Sequence, residues 1–286
     1  MTLRPGALLA LICLLAPATA AAGTLSLDGP QIQGGLVIGA TEPGAKASLD
    51  GKPVRVDGAG AFLIGFGRDA GPRARLLIEH PDGGRTDKEL KVTARIYPVQ
   101  RIDGLPERQV TPSPEDLVRI KDDGVRIAEV RRLDSDRRGF ASGFMWPVEG
   151  QVSGIFGSQR ILNGKARRPH NGVDVFAAKG APVVACADGV VALVHQDMFF
   201  TGRTVLIDHG HGLTSVYAHL DDIRVKPGER VAKGTRIGSV GRTGRVTGPH
   251  LHWGVSLFGT HLDPALLVGP MEAQSGAERG GLPGVR

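Results

Sequence analysis

Nine histidines occur in the chain, and eight of them lie beyond residue 169. Two local spacings could do chemistry. The first is His170-Asn171-Gly172-Val173-Asp174, and the second is His250-Leu251-His252. Residues two apart on an extended strand point to one face. His250 and His252 would then face a groove together, with Leu251 in the core. Positions four apart share a face on a strand or a helix. Gly172 and the run Val173, Val175 and Phe176 favour the extended form, so His170 and Asp174 are expected on one side. Zinc accepts imidazole nitrogen and carboxylate oxygen at about 2.0–2.2 Å. A catalytic zinc site uses three protein ligands and leaves a position for water, whose pKa falls to about 7. Two histidines and one aspartate supply such a set. A further histidine could accept a proton or steady an oxyanion.

The other histidines read differently. His209 and His211, in Asp208-His209-Gly210-His211-Gly212, are expected in a turn after a strand. His195 and His261 are expected in exposed loops, and His80, before Pro81, in a loop. Arg160, Arg167 and Arg168 precede His170. They suit a solvated loop or a contact to substrate carboxylates.

These residues need a rigid β framework. Residues 144–269 show strand patterns at Gly189 to Val194, Thr204 to Asp208, Thr214 to Ala218, Arg236 to Val240 and Leu251 to Leu257. Val225 to Val231 reads as a turn between strands. Upstream, residues 23–97 read as a small immunoglobulin-like β-sandwich, with turn signals at Asp50-Gly51, Asp57-Gly58 and Asp82-Gly83. Leu90, Val92, Ala94 and Ile96 alternate as one face of its last strand. Residues 98–143 read as a linker with one helix. Ser113 would cap it, Pro114 would open it, and Glu115 and Asp116 suit its positive end. Leu117, Ile120 and Ile127 form its partial apolar stripe. Residues 270–286 are Gly-rich and polar, and are expected to be a loose tail. The fold class is therefore mainly β.

Residues 1–22 read as a secretory signal peptide: Arg4, an apolar run from Ala7 to Ala16, then Pro17 and Ala18-Thr19-Ala20-Ala21-Ala22. The run is too short to span a bilayer, which needs roughly 20 apolar residues. No other stretch is apolar enough to span, so no transmembrane segment is expected in the mature chain. Ile12 stands where a small residue would precede a lipid-bearing cysteine, so Cys13 is not expected to carry lipid. The formal net charge is +6, and cleavage would remove only the charge of Arg4. The surplus suits an anionic partner. No nucleic-acid motif appears, and export argues against nucleic acid. After cleavage Cys186 is the remaining cysteine, which excludes an intramolecular disulfide. Its Val183-Val184-Ala185-Cys186-Ala187 setting suits a buried core residue.

The second domain resembles the lysostaphin-like, or LytM-type, zinc metallopeptidases, whose members act as murein endopeptidases. The matching residues run in order over about 144–269. They are Trp146-Pro147-Val148, Gly154-Ile155-Phe156-Gly157-Ser158, His170-xxx-Asp174, Val216-Tyr217-Ala218-His219-Leu220, Val225-Lys226-Pro227-Gly228, Gly241-Arg242-Thr243-Gly244 and Gly248-Pro249-His250-Leu251-His252-Trp253. The resemblance implies a β-sheet groove with one zinc ion per chain at its floor. It implies that His170, Asp174 and His252 bind the zinc, and that His219 and His250 are catalytic without being ligands. It implies an exported endopeptidase acting on peptide cross-links or stem peptides of bacterial peptidoglycan, in the periplasm or secreted beyond it. No H-E-x-x-H motif is present, so the chain is not of that zinc peptidase class. Some relatives lack ligands and activate other wall hydrolases, and a self-inhibited or non-catalytic wall-binding regulator is the alternative reading. A lipoyl- or biotin-carrier domain fits poorly, because Lys226 and Lys233 lack the hairpin-tip setting it needs. The N-terminal module is left open between binding wall polymer, binding a cell-wall or divisome protein, and spacing the second domain.

Overall fold

A computed structural model describes residues 25–271. The expected signal peptide and residues 272–286 of the expected tail lie outside that range.

The N-terminal strands are β1 (Ser26–Asp28), β2 (Leu36–Ala40), β3 (Lys46–Leu49), β4 (Lys52–Val54), β5 (Ala61–Gly65), β6 (Arg73–Glu79) and β7 (Arg85–Lys91). They form two sheets, ordered β1-β2-β5 and β4-β3-β6-β7. Val37, Phe62, Ile64, Leu76, Ile78 and Leu90 close the core between them. Asp50 and Gly51 both adopt positive φ (49° and 74°) in the tight turn from β3 to β4, as a two-residue hairpin of this type requires. The expected alternation along the last strand holds through Leu90 and Val92 and then fails. Ile96 is fully exposed. The sheet ends at Lys91, and Arg95 turns inward instead to pair with the buried carboxylate of Asp263 at 2.7 Å. Leu36 and Leu63 share one core with Leu257 and Leu262 of the C-terminal sheet. The sandwich is therefore packed onto the second unit.

The segment 98–143 holds more than the expected helix. It contains β8 (Val99–Ile102), α1 (Glu107–Val110), α2 (Pro114–Val130) and a 3-10 turn at Gly139–Ser142. Ser113 caps α2: its Oγ accepts from Asp116 N–H at 3.2 Å. The expected stripe is corrected in one place. Leu117 is exposed, whereas Ile127 and Val130 pack on Leu206 and Val216. Asp123 anchors the middle of the helix by accepting from Phe199 N–H at 2.7 Å.

The C-terminal unit adds β9 (Gln151–Gly154), β10 (Gln159–Leu162), β11 (Lys165–Ala166), β12 (Val173–Phe176), β13 (Pro182–Val184), β14 (Gly189–Met198), β15 (Gly202–Gly210), β16 (Leu213–Ile223), β17 (Arg230–Val231), β18 (Arg236–Val240), β19 (His250–Leu257), β20 (Thr260–Leu262) and α3 (Ala265–Val268). Ten of these strands form one sheet, whose central path runs β17-β14-β15-β16-β19-β12-β9. Its core holds Val175, Val205, Ile207, Tyr217, Leu251 and Trp253. Separately, β10 pairs with β11 and, in parallel, with β8. Among the described residues no helix is long and apolar enough to cross a membrane.

Cys186 is fully buried, and burial raises its thiol pKa to about 11. His209 lies on β15, not in a turn. It is also fully buried and donates from Nδ1 to Asp188 O at 2.6 Å, with Nε2 2.7 Å from Ser215 Oγ. Burial lowers its pKa from the ordinary 6.5, outweighing the hydrogen bond to the Asp188 carbonyl and the charges of Asp208 and Asp188, which favour the imidazolium. The unfolded chain therefore takes up this proton at a higher pH than the folded one. Stability should be full above pH 6.5 and fall as the pH drops below it. Calorimetric melting between pH 8 and pH 5 should show that fall. His209→Gln should melt lower at pH 8 and show a shallower decline, and an equal slope in both proteins would remove His209 from the account.

Candidate metal and hydrolytic site

Antiparallel pairing of β12 with β19 sets Asp174 directly opposite His252. Pairing of β19 with β16 sets Ala218 opposite the same residue. Period-two alternation then sends Leu251 into the core, fully buried, and His250 and His252 to the other face. His170 is not on the strand, contrary to the extended reading. β12 begins at Val173, and His170 sits in the preceding loop, tied by its N–H to Ser158 O at 2.9 Å and by its C=O to Gly157 N–H at 2.8 Å. The loop still brings its imidazole to the same point.

At that point His252 Nδ1 lies 2.8 Å from Asp174 Oδ1 and 3.0 Å from His170 Nε2, and His170 Nε2 lies 3.1 Å from Asp174 Oδ1. All three residues are buried, and their ligand atoms lie within 4.8 Å of one another. His170 Nδ1 lies 3.1 Å from Ile155 O. A carbonyl can only accept, so Nδ1 carries the proton and Nε2 offers its lone pair inward. Three electron-pair donors thus converge, and a single proton can bridge only two at once. A divalent cation satisfies all three. The borderline nitrogen and oxygen donor set suits zinc.

Two further imidazoles flank this cluster. His219 donates from Nδ1 to Thr243 O at 2.8 Å, and His250 donates from Nδ1 to Gly248 O at 2.9 Å. In the neutral form of each ring the lone pair is therefore at Nε2. Their ring centroids are 4.7 Å apart, and His250 Nε2 is 3.9 Å from Asp174 Oδ1. His219 interrupts β16 with a φ of 64°, and its N–H donates to Thr201 O at 2.8 Å. Left-handed backbone at a non-glycine residue is uncommon and gathers at functional sites.

Burial opposes ionisation of Asp174, but hydrogen bonds and charge from His170 and His252 outweigh it and hold the carboxyl well below its ordinary range. Burial lowers His252 to about 4, against the pull of Asp174. Burial, with the charges of His250 and His252, lowers His219 to about 3. Both imidazoles are therefore neutral near pH 7, and neutral imidazole is the form that binds metal or accepts a proton.

The supports were less legible than the five residues themselves. Arg160 lies on β10, not in a solvated loop, and its Nη2 pairs with Asp174 Oδ2. That contact leaves Oδ1 as the oxygen facing the histidines. Gly154 stands opposite Asp174 in the β9–β12 pairing, and a Cβ there would lie 2.6 Å from Asp174 Oδ2. A Cβ at Gly172 would lie 2.9 Å from His252 Cε1. The sequence showed these glycines only as members of motifs, and the carbonyls of Ile155, Thr243 and Gly248 carry no side-chain signal at all. His195 and His261 are on β14 and β20, half-buried, and not in loops. His80 is buried, with Nε2 2.7 Å from Thr86 Oγ1 and Nδ1 2.5 Å from Glu42 Oε1.

Residues 168–264 match the model of peptidase family M23. A Haemophilus influenzae metalloprotease is 40% identical over 161 residues, which cover 54% of this chain and 34% of that protein. The Vibrio cholerae peptidoglycan DD-endopeptidase ShyA is 41% identical over 123 residues, covering 42% of this chain and 28% of that one. The matches thus span about a third or less of those two relatives' length. The crystal structure of a Pseudomonas aeruginosa protein assigned to peptidase M23 superposes with a TM-score of 0.64 at 31% identity, covering 84% of this chain and 95% of that one. The match extends beyond the C-terminal unit to most of both chains, and the chain belongs to peptidase family M23, a family of zinc metallopeptidases.

Proposed function

We propose that this chain is an exported zinc endopeptidase that hydrolyses peptide cross-links or stem peptides of bacterial peptidoglycan. The observation that carries the reading is the convergence of His170 Nε2, Asp174 Oδ1 and His252 Nδ1 beside two imidazoles with free Nε2 lone pairs. The substrate class comes from relatives, among them two Vibrio cholerae proteins named peptidoglycan DD-endopeptidases.

In this reading His170, Asp174 and His252 hold one zinc ion. When bound, zinc supplies Lewis-acid polarisation of the scissile carbonyl and lowers the pKa of a water to about 7. The protein does the rest. Arg160 fixes the Asp174 carboxylate in its plane, and the Ile155 carbonyl fixes the tautomer of His170. His219 or His250 accepts the proton lost by the attacking water at Nε2. Once protonated, that imidazole is an N–H donor beside the developing oxyanion, and it returns the proton to the leaving amine. The carbonyls of Thr243 and Gly248 prevent either ring from turning its Nε2 away.

His170→Ala, Asp174→Ala and His252→Ala should each purify without zinc, whereas His219→Ala should keep it and lose activity by a factor of about 100 or more. Metal analysis beside muropeptide mass spectrometry on purified sacculi checks both halves. Full zinc occupancy in all three ligand variants would sink the ligand assignment. Conversion of cross-linked dimers to monomers, dependent on zinc and on His219, is the expected activity. No conversion by zinc-loaded protein would favour the regulator. Gly154→Ala should push Asp174 off its position and weaken zinc affinity about tenfold or more, as other changes behind a ligand do. Competition with a fluorescent chelator reads that affinity, and an unchanged value would show that the sheet relaxes around the methyl group.

A further inference from the structure

Three arginines close to the site serve different ends. Arg160 is spent on Asp174. Arg167, just after β11, and Arg245, in the loop between β18 and β19, donate instead to backbone carbonyls, and Arg167 also lies near enough to Glu107 to lower its carboxyl pKa. Arg167 Nη2 donates to Val110 O at 2.6 Å, and Arg245 Nη1 donates to Gln109 O at 3.2 Å. Gln109 and Val110 are consecutive residues at the end of α1. Two walls of the C-terminal unit, one leading to His170 and the other to His250, thus bring their arginines to one place. Gln109 Nε2 donates back to Gly244 O at 3.3 Å, and the Arg245 guanidinium lies 4.1 Å from the centroid of the Phe200 ring.

The cluster adjoins the proposed hydrolytic site on both sides. Thr243, two residues before Arg245, holds His219. Arg167 is three residues before His170, and its N–H donates to the carbonyl of Arg160 at 2.9 Å. Burial, with the charges of Arg160 and Arg167, lowers the pKa of Arg245 to about 10. The like charges of Arg160, Arg167 and Arg245 therefore sit close enough to oppose one another, and Glu107, whose carboxyl Arg167 helps to hold low, relieves them only on the Arg167 side.

Capping of α1 does not account for this arrangement. The helix has four residues, and each terminal carbonyl needs one donor. A guanidinium carries five N–H donors in a planar fork that matches a carboxylate. Arg245 uses one nitrogen on protein acceptors, and Arg167 uses two. Both are half-buried, which leaves part of each fork open to solvent.

We propose that Arg167 and Arg245 form an anion subsite that takes a free carboxylate of an acidic peptide substrate and sets the peptide across the site. The proposal rests on the peptidase reading, since it names what that site would hold. Peptidoglycan stem peptides carry free carboxylates near the bonds that join them, so the pair would select for chain chemistry as well as for a scissile bond.

The test uses the full chain loaded with zinc and two probes: cross-linked muropeptide dimer, and the same dimer with its carboxylates converted to methylamides. The kcat/KM of wild type should fall about tenfold or more on amidation, through KM. In Arg167→Gln and Arg245→Gln the ratio between the two probes should shrink toward one, and Arg245→Lys should restore part of it, since a lysine keeps the charge without the fork. Zinc content and melting temperature identify any variant that has simply misfolded. Binding of both probes is also read by calorimetry in the His219→Ala background. If zinc-loaded wild type cleaves neither probe, the peptidase reading fails, while the binding comparison still decides the subsite. Equal affinity for the two probes, or a preference that persists in both glutamine variants, would overturn the proposal.

Discussion

Pairing of Asp174 with His252 across two antiparallel strands is the constraint on which the site depends. It brings a carboxylate oxygen and an imidazole nitrogen to 2.8 Å, and the loop before β12 adds a second imidazole. Three lone-pair donors held this close repel one another unless a cation or protons intervene, so the arrangement must be imposed by its surroundings. The sheet imposes it. β12 and β19 are adjacent inner strands of a ten-stranded sheet, with β9 at the edge beyond β12, and the core residues Val175, Leu251 and Trp253 are fully buried. Slipping either strand by one residue would move the donors into that core and the core residues into the groove.

The outer supports are backbone groups and one ion pair. Carbonyls of Ile155, Thr243 and Gly248 each fix one imidazole tautomer. Arg160 holds the outer oxygen of Asp174, and Arg160 in turn lies on β10, which pairs with β8 from outside the C-terminal unit. Residues 98–113 thereby touch both sides of the site. They pair with β10, and through Gln109 they grip the loop whose Thr243 holds His219. The N-terminal sandwich is fixed to the same body by the Arg95–Asp263 ion pair and by Leu36 and Leu63 in the shared core. Buried apolar contact of this kind resists free movement of one unit against the other.

Where the local reading erred, tertiary pairing overrode periodicity. Ile96 continues the alternation of Leu90 and Val92, yet it is fully exposed because the chain leaves the sheet after Lys91. His209 stands between turn-forming residues, yet it is on a strand, since its imidazole finds partners in Asp188 and Ser215 inside the core. Leu117 belongs to an apolar stripe by spacing, but Asp123 and Ile127 set which face of α2 meets the sheet.

The sequence by itself determined the mainly β class and the capped helix at Ser113, singled out His170, Asp174, His250 and His252 as candidates by spacing, and added His219 and the proposed roles through the family resemblance. Apart from the resemblance, these features rest on short-range rules: alternation along a strand, cap and turn chemistry, and ligand types at fixed spacing. Only the tertiary structure decided which nitrogen of each histidine faces inward, which oxygen of Asp174 is taken by Arg160, and that Arg167 and Arg245 meet. Those facts depend on backbone carbonyls and on pairs separated by up to 136 positions, as Arg245 and Gln109 are. No local pattern encodes such contacts, because the sheet's register and the packing of α1 create them only once the chain has closed on itself.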